Sequence, residues 1–270
     1  MSKMERFLLS KGRYLPWLVW GSVLFWLLLL GGRVVNAWHF RTGLLVPVFF
    51  VTAGAMVLTF WVAGRRERWI REGPLPLFLK RQVRTQHPHL TAKDVDLVER
   101  GLRQYFYACS RSGRQFVAMP SQAVDAMWHA FILHTRLYRD WCDLALGRFL
   151  HHTPAEALGQ RPERNDGLRR AWYWACKDEA INPRTPTRLP LLFALDGKLA
   201  IPGGFLYTAD CNDIRRKSEH GGDGSNSFCG TDFSDGSASG DSGSFGGADS
   251  SGADGGDGGG DGGGGCGGGD

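Results

Sequence analysis

Two long runs of uncharged residues occupy most of the first quarter of the chain. Residues 14–32 and residues 42–63 contain no Asp, Glu, Lys or Arg. As helices, both runs are long enough to cross about 30 Å of hydrocarbon, and tryptophans lie near their ends, as in membrane proteins. The pattern predicts a two-helix transmembrane hairpin over residues 14–64. The alternative is a buried core hairpin of a soluble protein, but helices of soluble proteins seldom lack a polar face.

Positive charges flank the predicted hairpin on one side of the membrane. Lys and Arg are frequent in the N-terminal residues 1–13 and in the basic linker 65–90, whereas the loop between the spans has only Arg33 and Arg41. The positive-inside rule therefore predicts that both termini are cytoplasmic. We also expect four arginines after the second span to contact anionic headgroups of the lipid bilayer, and the alternative is that they only fix the topology. These are Arg65, Arg66, Arg68 and Arg71.

Apolar positions beyond the linker follow the period of helices. In residues 91–108 they recur every three or four positions, after a capping-box pattern formed by Thr91 and Asp94. The sequence therefore predicts a mainly α-helical cytoplasmic domain over residues 91–213.

Three later segments of this domain carry their own signals. Ser121 is the predicted N-cap of a central helix, and Gly147 is its predicted stop. Residues 166–180 are predicted to form another helix. Prolines exclude a long helix after residue 183, and residues 189–207 predict a short β-hairpin that turns at Asp196 and Gly197.

The C-terminal residues 218–270 differ sharply in composition. They are mostly Gly, Asp and Ser and contain no Lys or Arg. Such a segment cannot bury enough apolar surface to fold, so a disordered acidic tail is predicted. The formal net charge of +5 therefore hides a strongly basic remainder. Those basic residues lie largely beside the predicted membrane spans, without a nucleic-acid-binding motif, so no nucleic acid partner is expected.

The six cysteines form no CxxC pair. In a cytoplasmic domain they are expected to stay reduced. Neither a disulfide framework nor a cysteine-rich zinc module is predicted.

Residues 120–154 concentrate the side chains that could carry chemistry. On the predicted central helix Asp125 and His129 are one turn apart, so their side chains meet. His151 and His152 follow the helix end, and one of them could approach His129 if the chain doubles back. The candidate metal ligands are therefore Asp125, His129, His151 and His152, with zinc or iron as the ion.

Other side chains of this segment have structural interpretations. Trp128 is expected to be a core aromatic. Cys142 is roughly 20 Å from His129 along a straight helix, which excludes a shared metal and predicts a small buried residue. The Asp125–His129 pair itself has a structural alternative, a hydrogen bond that locks two helices.

The same segment resembles the signature of bacterial glycine-rich-domain-containing membrane proteins, which are distantly similar to the plant glycine-rich domain proteins. Residues 124–142 match VDxxWHxxIxxTxxYxxxC, and residues 147–154 match GxFxHHxP. Beyond the candidate ligands, the motif residues to which we assign a structural role are Trp128, Thr135, Tyr138, Cys142 and Pro154, and the other motif positions are Val124, Ile132, Gly147 and Phe149. The plant-like form has a histidine where this chain has Phe131, so the resemblance does not transfer a metal site. The resemblance implies a location in the bacterial inner membrane. It implies no particular activity, because none is established for that family.

Two functions from different classes remain. The first is a membrane-anchored adaptor whose helical domain and flexible tail reach protein partners. The second is a metal-dependent enzyme, such as a hydrolase, that uses the Asp/His site. A buried Asp125–His129 pair would favour the adaptor, and an open site with a third ligand would favour the enzyme.

Overall fold

The chain is mainly α-helical in a computed structural model that describes residues 3–34, 45–152, 162–209 and 227–233. The helices are α1 (Lys3–Lys11), α2 (Leu15–Val34), α3 (Leu45–Glu72), α4 (Leu77–Gln86), α5 (Ala92–Arg111), α6 (Gln122–Leu133), α7 (Thr135–Ala145), α8 (Pro162–Asp178) and α9 (Leu191–Lys198). The strands are β1 (Leu206–Thr208) and β2 (Ser227–Cys229). The predicted mainly helical class is confirmed.

The N-terminal helices carry the apolar runs. Within α3, Val46–Glu72 is long and apolar enough to cross a membrane by length and composition. The apolar stretch of α2, Trp17–Gly31, is shorter, and α2 packs along α3. Residues 35–44, which join the two helices, lie outside the described residues.

The core of the helical domain forms around α5. This helix contacts α3, α4, α6, α8 and α9. It begins with the predicted capping box, in which Thr91 and Asp94 exchange side-chain-to-backbone hydrogen bonds. The segment predicted as a linker, 65–90, belongs to this domain, because Ile70 at the end of α3 and Leu79 in α4 are buried in the core.

The predicted single central helix is wrong, because it breaks at His134 into α6 and α7. In a continuous helix, Trp128 and Tyr138 would be about 15 Å apart along the axis. In the structure the Trp128 indole donates to the Tyr138 hydroxyl at 3.0 Å, and the His134 ring packs on Phe78 with ring centroids 3.9 Å apart. These tertiary contacts favour the break. The stop at Gly147 is as predicted, with a φ of +67° that favours glycine.

The predicted β-hairpin at residues 189–207 is also wrong. Helix α9 replaces its first strand and its turn, because Leu192, Phe193 and Leu195 are buried in the core and Asp196 caps α6. The strand β1 follows and pairs in parallel with β2.

Part of the predicted disordered tail is ordered. Residues 227–233 form β2 and a 3-10 turn, and Phe233 packs against Trp172, Phe193 and Tyr207. A Cβ atom on Gly230 would lie 2.4 Å from the Trp172 ring, so only glycine fits that close approach. The remainder of 218–270 lies outside the described residues.

The four cysteines within the described residues divide into two groups. Cys109, Cys142 and Cys176 are free and buried, as a reduced protein would have them. Cys229 is disulfide-bonded, which contradicts the expectation that every cysteine is a thiol. The sequence predicted reduced cysteines because it placed the domain in the cytoplasm and assigned Cys229 to a disordered tail.

Candidate metal centre

Helix α6, which carries two of the candidate ligands, is fixed at its N-terminus by Asp196. The Asp196 carboxylate is 2% exposed. It accepts hydrogen bonds from the Ser121 hydroxyl at 2.6 Å and from the backbone N–H groups of Gln122 at 2.7 Å and Ala123 at 3.2 Å. A carboxylate at this position also interacts favourably with the helix dipole. The first turn of α6 is therefore held rigidly.

Asp125 and His129 meet on α6 as their spacing predicts. The Nδ1 atom of His129 lies 3.1 Å from Oδ2 of Asp125, and it is also 3.1 Å from the Asp125 carbonyl oxygen. This pair places an imidazole nitrogen beside a carboxylate oxygen, with both side chains on one helix.

His152 reaches the same carboxylate from a distant part of the sequence. Its Nε2 atom lies 3.2 Å from Oδ1 of Asp125. The rings of His129 and His152 have centroids 4.2 Å apart. One ligand atom each from Asp125, His129 and His152 lie within 4.8 Å of one another, so the three residues form one cluster.

A chain of buried hydrogen bonds holds the segment that leads to His152. The Trp128 indole donates to the Tyr138 hydroxyl, which donates to the Leu150 carbonyl at 2.7 Å. Burial raises the pKa of Tyr138 well above its ordinary value, so the hydroxyl remains a proton donor. The His152 ring also packs on Trp128, with centroids 4.6 Å apart. The position of His152 thus depends on α6 and α7 together.

The cluster is open on one side. The side chain of His129 is 52% exposed, whereas the side chains of Asp125 and His152 are 25% and 13% exposed. Solvent or a small molecule can therefore approach from the His129 side.

The three ligand atoms lie near enough for one metal ion to draw them together. Ligand atoms of a tetrahedral zinc site stand about 3.3 Å apart when each lies about 2.0–2.1 Å from the ion. The separations of 3.1 Å from His129 to Oδ2 of Asp125 and of 3.2 Å from His152 to Oδ1 of Asp125 are close to that value, but they involve different oxygens, and the three ligand atoms lie up to 4.8 Å apart. Two imidazoles with one carboxylate also form the ligand set of many non-haem iron sites. Three protein ligands would leave coordination positions free for water or substrate.

Among the described residues, the other motif residues contribute no ligand atom to the cluster. His151, also a candidate ligand, is exposed and packs on the Phe149 ring, with centroids 4.9 Å apart. Thr135 is exposed at the start of α7, and Trp128 is buried as predicted. Cys142 is fully buried, and burial raises its pKa to about 11. Pro154 lies outside the described residues.

Most of the arginines predicted to contact lipid headgroups have partners within the chain. Arg65 pairs with Glu5, and Arg66 donates to the Leu9 carbonyl at 2.7 Å. Arg71 pairs with Asp178 at 2.7 Å. Arg68 is exposed and has no ion pair among the described residues. Of the four, Arg68 is therefore the one most available to an anionic surface.

Comparison with known proteins identifies a family but no activity. The model of a family described as UCP032817-like matches residues 65–233, which include the whole Asp125, His129 and His152 cluster. The matched region begins after the two apolar runs and ends with the ordered segment of the tail. No curated protein and no solved structure matches the chain.

Proposed function

We propose that this protein, which belongs to the UCP032817-like family, is a membrane-anchored protein whose helical domain binds a divalent transition metal. One observation carries the proposal, namely that one ligand atom each from Asp125, His129 and His152 lie within 4.8 Å of one another. Because two imidazoles and one carboxylate suit both ions, Zn²⁺ and Fe²⁺ are the candidates.

The openness of the cluster favours a metal site over a purely structural lock. Half of the His129 side chain is exposed, so water or a substrate can reach the cluster, as a catalytic metal site requires. A bound zinc ion with a free coordination position would supply Lewis-acid chemistry and an activated water, which are typical of hydrolases. We therefore rank a metal-dependent enzyme above the adaptor that the sequence favours.

The proposed anchor is the pair α2 and α3, as a transmembrane hairpin. The apolar segment in α3 supports it by length and composition, and the basic residues on both sides support a cytoplasmic position of the two termini. The resemblance of residues 124–154 to bacterial glycine-rich-domain-containing proteins supports the bacterial inner membrane as the location. Arg68 is the proposed contact with anionic headgroups.

The disulfide at Cys229 adds a condition to this orientation. Cytosolic disulfides are rare and are usually transient, catalytic or redox-sensing, so a cytoplasmic domain requires that this bond be reversible. A Ser251→Cys variant labelled with a membrane-impermeant thiol reagent tests the orientation. Labelling only after cell lysis supports a cytoplasmic tail, and labelling of intact spheroplasts overturns it.

The metal proposal is tested on the full-length chain purified in detergent. The protein is stripped with a chelator, dialysed against Zn²⁺ or, without oxygen, against Fe²⁺, and its metal content is measured by mass spectrometry. We expect about one ion per chain in the wild type, and a loss of that ion in the His129→Ala and His152→Ala variants, because each removes one of only three protein ligands.

His151→Ala provides the matched control. It removes a neighbouring imidazole that lies outside the cluster, so the metal content should stay at the wild-type level. If the wild type takes up no metal, or if the His151 and His152 variants lose it equally, the metal site is wrong. An adaptor role would then be the better proposal, with the Asp/His cluster as a structural lock.

A further inference from the structure

A second site, separate from the Asp125, His129 and His152 cluster, lies beside α5 in a cleft with a volume of about 670 Å³. Its walls come from α5, the end of α8, α9 and the last turn of α3. This volume is in the range of small-molecule sites. None of the Asp125, His129 or His152 side chains lines it.

The cleft has an excess of positive charge. Five cationic side chains line it, and they are Arg71, Arg100, Arg103, Arg188 and Lys198. Only two acidic side chains, Asp178 and Glu179, line it as well. An anionic ligand is therefore favoured over a cationic one.

The two acidic groups are already neutralised by partners within the fold. Asp178 pairs with Arg71, and Glu179 pairs with Arg188. The Gln104 amide bridges the acids, because its Nε2 atom lies 3.0 Å from Oδ2 of Asp178 and 3.0 Å from Oε1 of Glu179. Within the cleft, the charges of Asp178 and Glu179 are thus balanced by Arg71 and Arg188.

Two of the five cationic side chains of the cleft form no ion pair with any described residue. Arg103 is engaged with Glu99 and with backbone carbonyls of α3 and the turn after it. By contrast, neither Arg100 nor Lys198 forms a salt bridge or hydrogen bond within the part of the chain that the structure describes, and both are exposed. Arg100 is thus available to a ligand in the cleft, and so is Lys198, whose charge acts only at a distance on Asp94, where it adds to the hydrogen bonds from Thr91 that lower the pKa of that carboxyl.

The cleft also has a small apolar wall. Leu97, Leu189 and Ala194 line it, together with the ring of Tyr107, over which the Arg71 guanidinium lies at 4.7 Å. A ligand of mixed character, with a charged end and an apolar end, would match both parts.

We propose that this cleft binds a phosphate-bearing small ligand, with Arg100 and Lys198 as the phosphate-binding side chains. Guanidinium and ammonium groups form strong charge-assisted hydrogen bonds with phosphate oxygens. Arg71 lies about 12 Å along α3 from residue 63, the end of the second apolar run. A lipid headgroup and a soluble phosphate compound are therefore both within reach, and they share the same chemistry.

The test uses the full-length chain in phosphatidylcholine nanodiscs, with a chelator present so that the Asp/His cluster holds no metal. Phenyl phosphate, which combines a phosphate with an apolar ring, is titrated by calorimetry. We expect saturable binding that weakens by about tenfold or more in the double variant Arg100→Gln/Lys198→Gln, since both charge-assisted contacts are lost. Arg114→Gln, an exposed arginine outside the cleft, should bind as the wild type does.

A second set of nanodiscs that contain phosphatidic acid distinguishes the two sources. Competition with phenyl phosphate indicates that a lipid headgroup enters the cleft, and unchanged binding indicates a soluble ligand. The proposal is overturned if phenyl phosphate does not bind to the folded wild type in phosphatidylcholine. It is also overturned if the double variant, with a wild-type circular dichroism spectrum, binds with unchanged affinity.

Discussion

The Trp128 indole donates a hydrogen bond to the Tyr138 hydroxyl at 3.0 Å, across the break between α6 and α7. The same hydroxyl donates to the Leu150 carbonyl, two residues before His152. One buried hydroxyl therefore joins the helix that carries Asp125 and His129 to the segment that carries His152.

Removal of this hydroxyl should weaken both stability and metal binding. In Tyr138→Phe the Trp128 N–H and the Leu150 carbonyl lose a buried partner, and we expect unfolding to become easier by about 2 kcal/mol. Chemical denaturation followed by circular dichroism measures the stability, and zinc titration measures the affinity, which should fall. Tyr107→Phe is the control, and an equal effect in both variants would refute the role of the Tyr138 bridge.

Asp196 should be among the most sensitive polar residues of the domain. Its carboxylate accepts hydrogen bonds from the first turn of α6 and from the backbone N–H of Phe205 at 3.0 Å. Asp196→Asn removes the charge and places an N–H₂ group against donors, so we expect a loss of about 3 kcal/mol in unfolding free energy. Asp140→Asn, at an exposed site on α7, should change it little, and a similar melting temperature for both variants would contradict the capping role.

The cysteines should separate into two chemical groups. Burial raises the pKa of Cys109 to about 12 and that of Cys176 to about 12, so few thiolates exist at neutral pH. We expect N-ethylmaleimide to modify Cys109, Cys142 and Cys176 only after unfolding. Cys229 should be modified only after reduction, and peptide mass spectrometry distinguishes these cases. Modification of Cys229 in the unreduced, unfolded protein would show that the disulfide is absent.

Glu179 should make the domain sensitive to acid. Burial by itself raises the pKa of this carboxyl, but hydrogen bonds from the Leu191 N–H, Gln104 and Arg188 lower it more, to below its ordinary value of 4.5. Because the pKa of Glu179 is lower in the folded state than in the unfolded state, its ionised carboxylate stabilises the fold above about pH 4.5. This stabilisation is lost as the pH falls through the pKa of the folded state.

Melting temperatures measured between neutral pH and pH 3 test this expectation. Glu179→Gln should lower the melting temperature at neutral pH and show a smaller further decrease in acid than the wild type. Glu72→Gln, at an exposed site on α3, should follow the wild-type profile. Identical acid profiles for the Glu179 variant and the wild type would refute the contribution.

Local signals predicted the parts of the fold that depend on neighbouring residues. The capping box at Thr91, the N-cap at Ser121 and the left-handed stop at Gly147 all depend on contacts within a few positions, and each is present. The meeting of Asp125 with His129 follows in the same way from one helical turn. The sequence could also place a histidine of the pair 151–152 near them, but not choose between the two.

Tertiary structure decided the rest, because the decisive partners are far apart in the sequence. Asp196 and Ser121 are separated by 75 positions and form a buried hydrogen bond. This bond explains why the dipeptide Asp196–Gly197, which is typical of a hairpin turn, lies near the end of α9 instead. Trp128 bonds to Tyr138 across the break in the central helix, and His152 rather than His151 lies against Asp125. Phe233 and Gly230 pack on Trp172 and so order a segment that its composition assigns to a tail. The sequence by itself thus determined α5, the caps at Thr91 and Ser121 and the meeting of Asp125 with His129, whereas burial of distant side chains against one another determined the break at His134, helix α9 and the approach of His152.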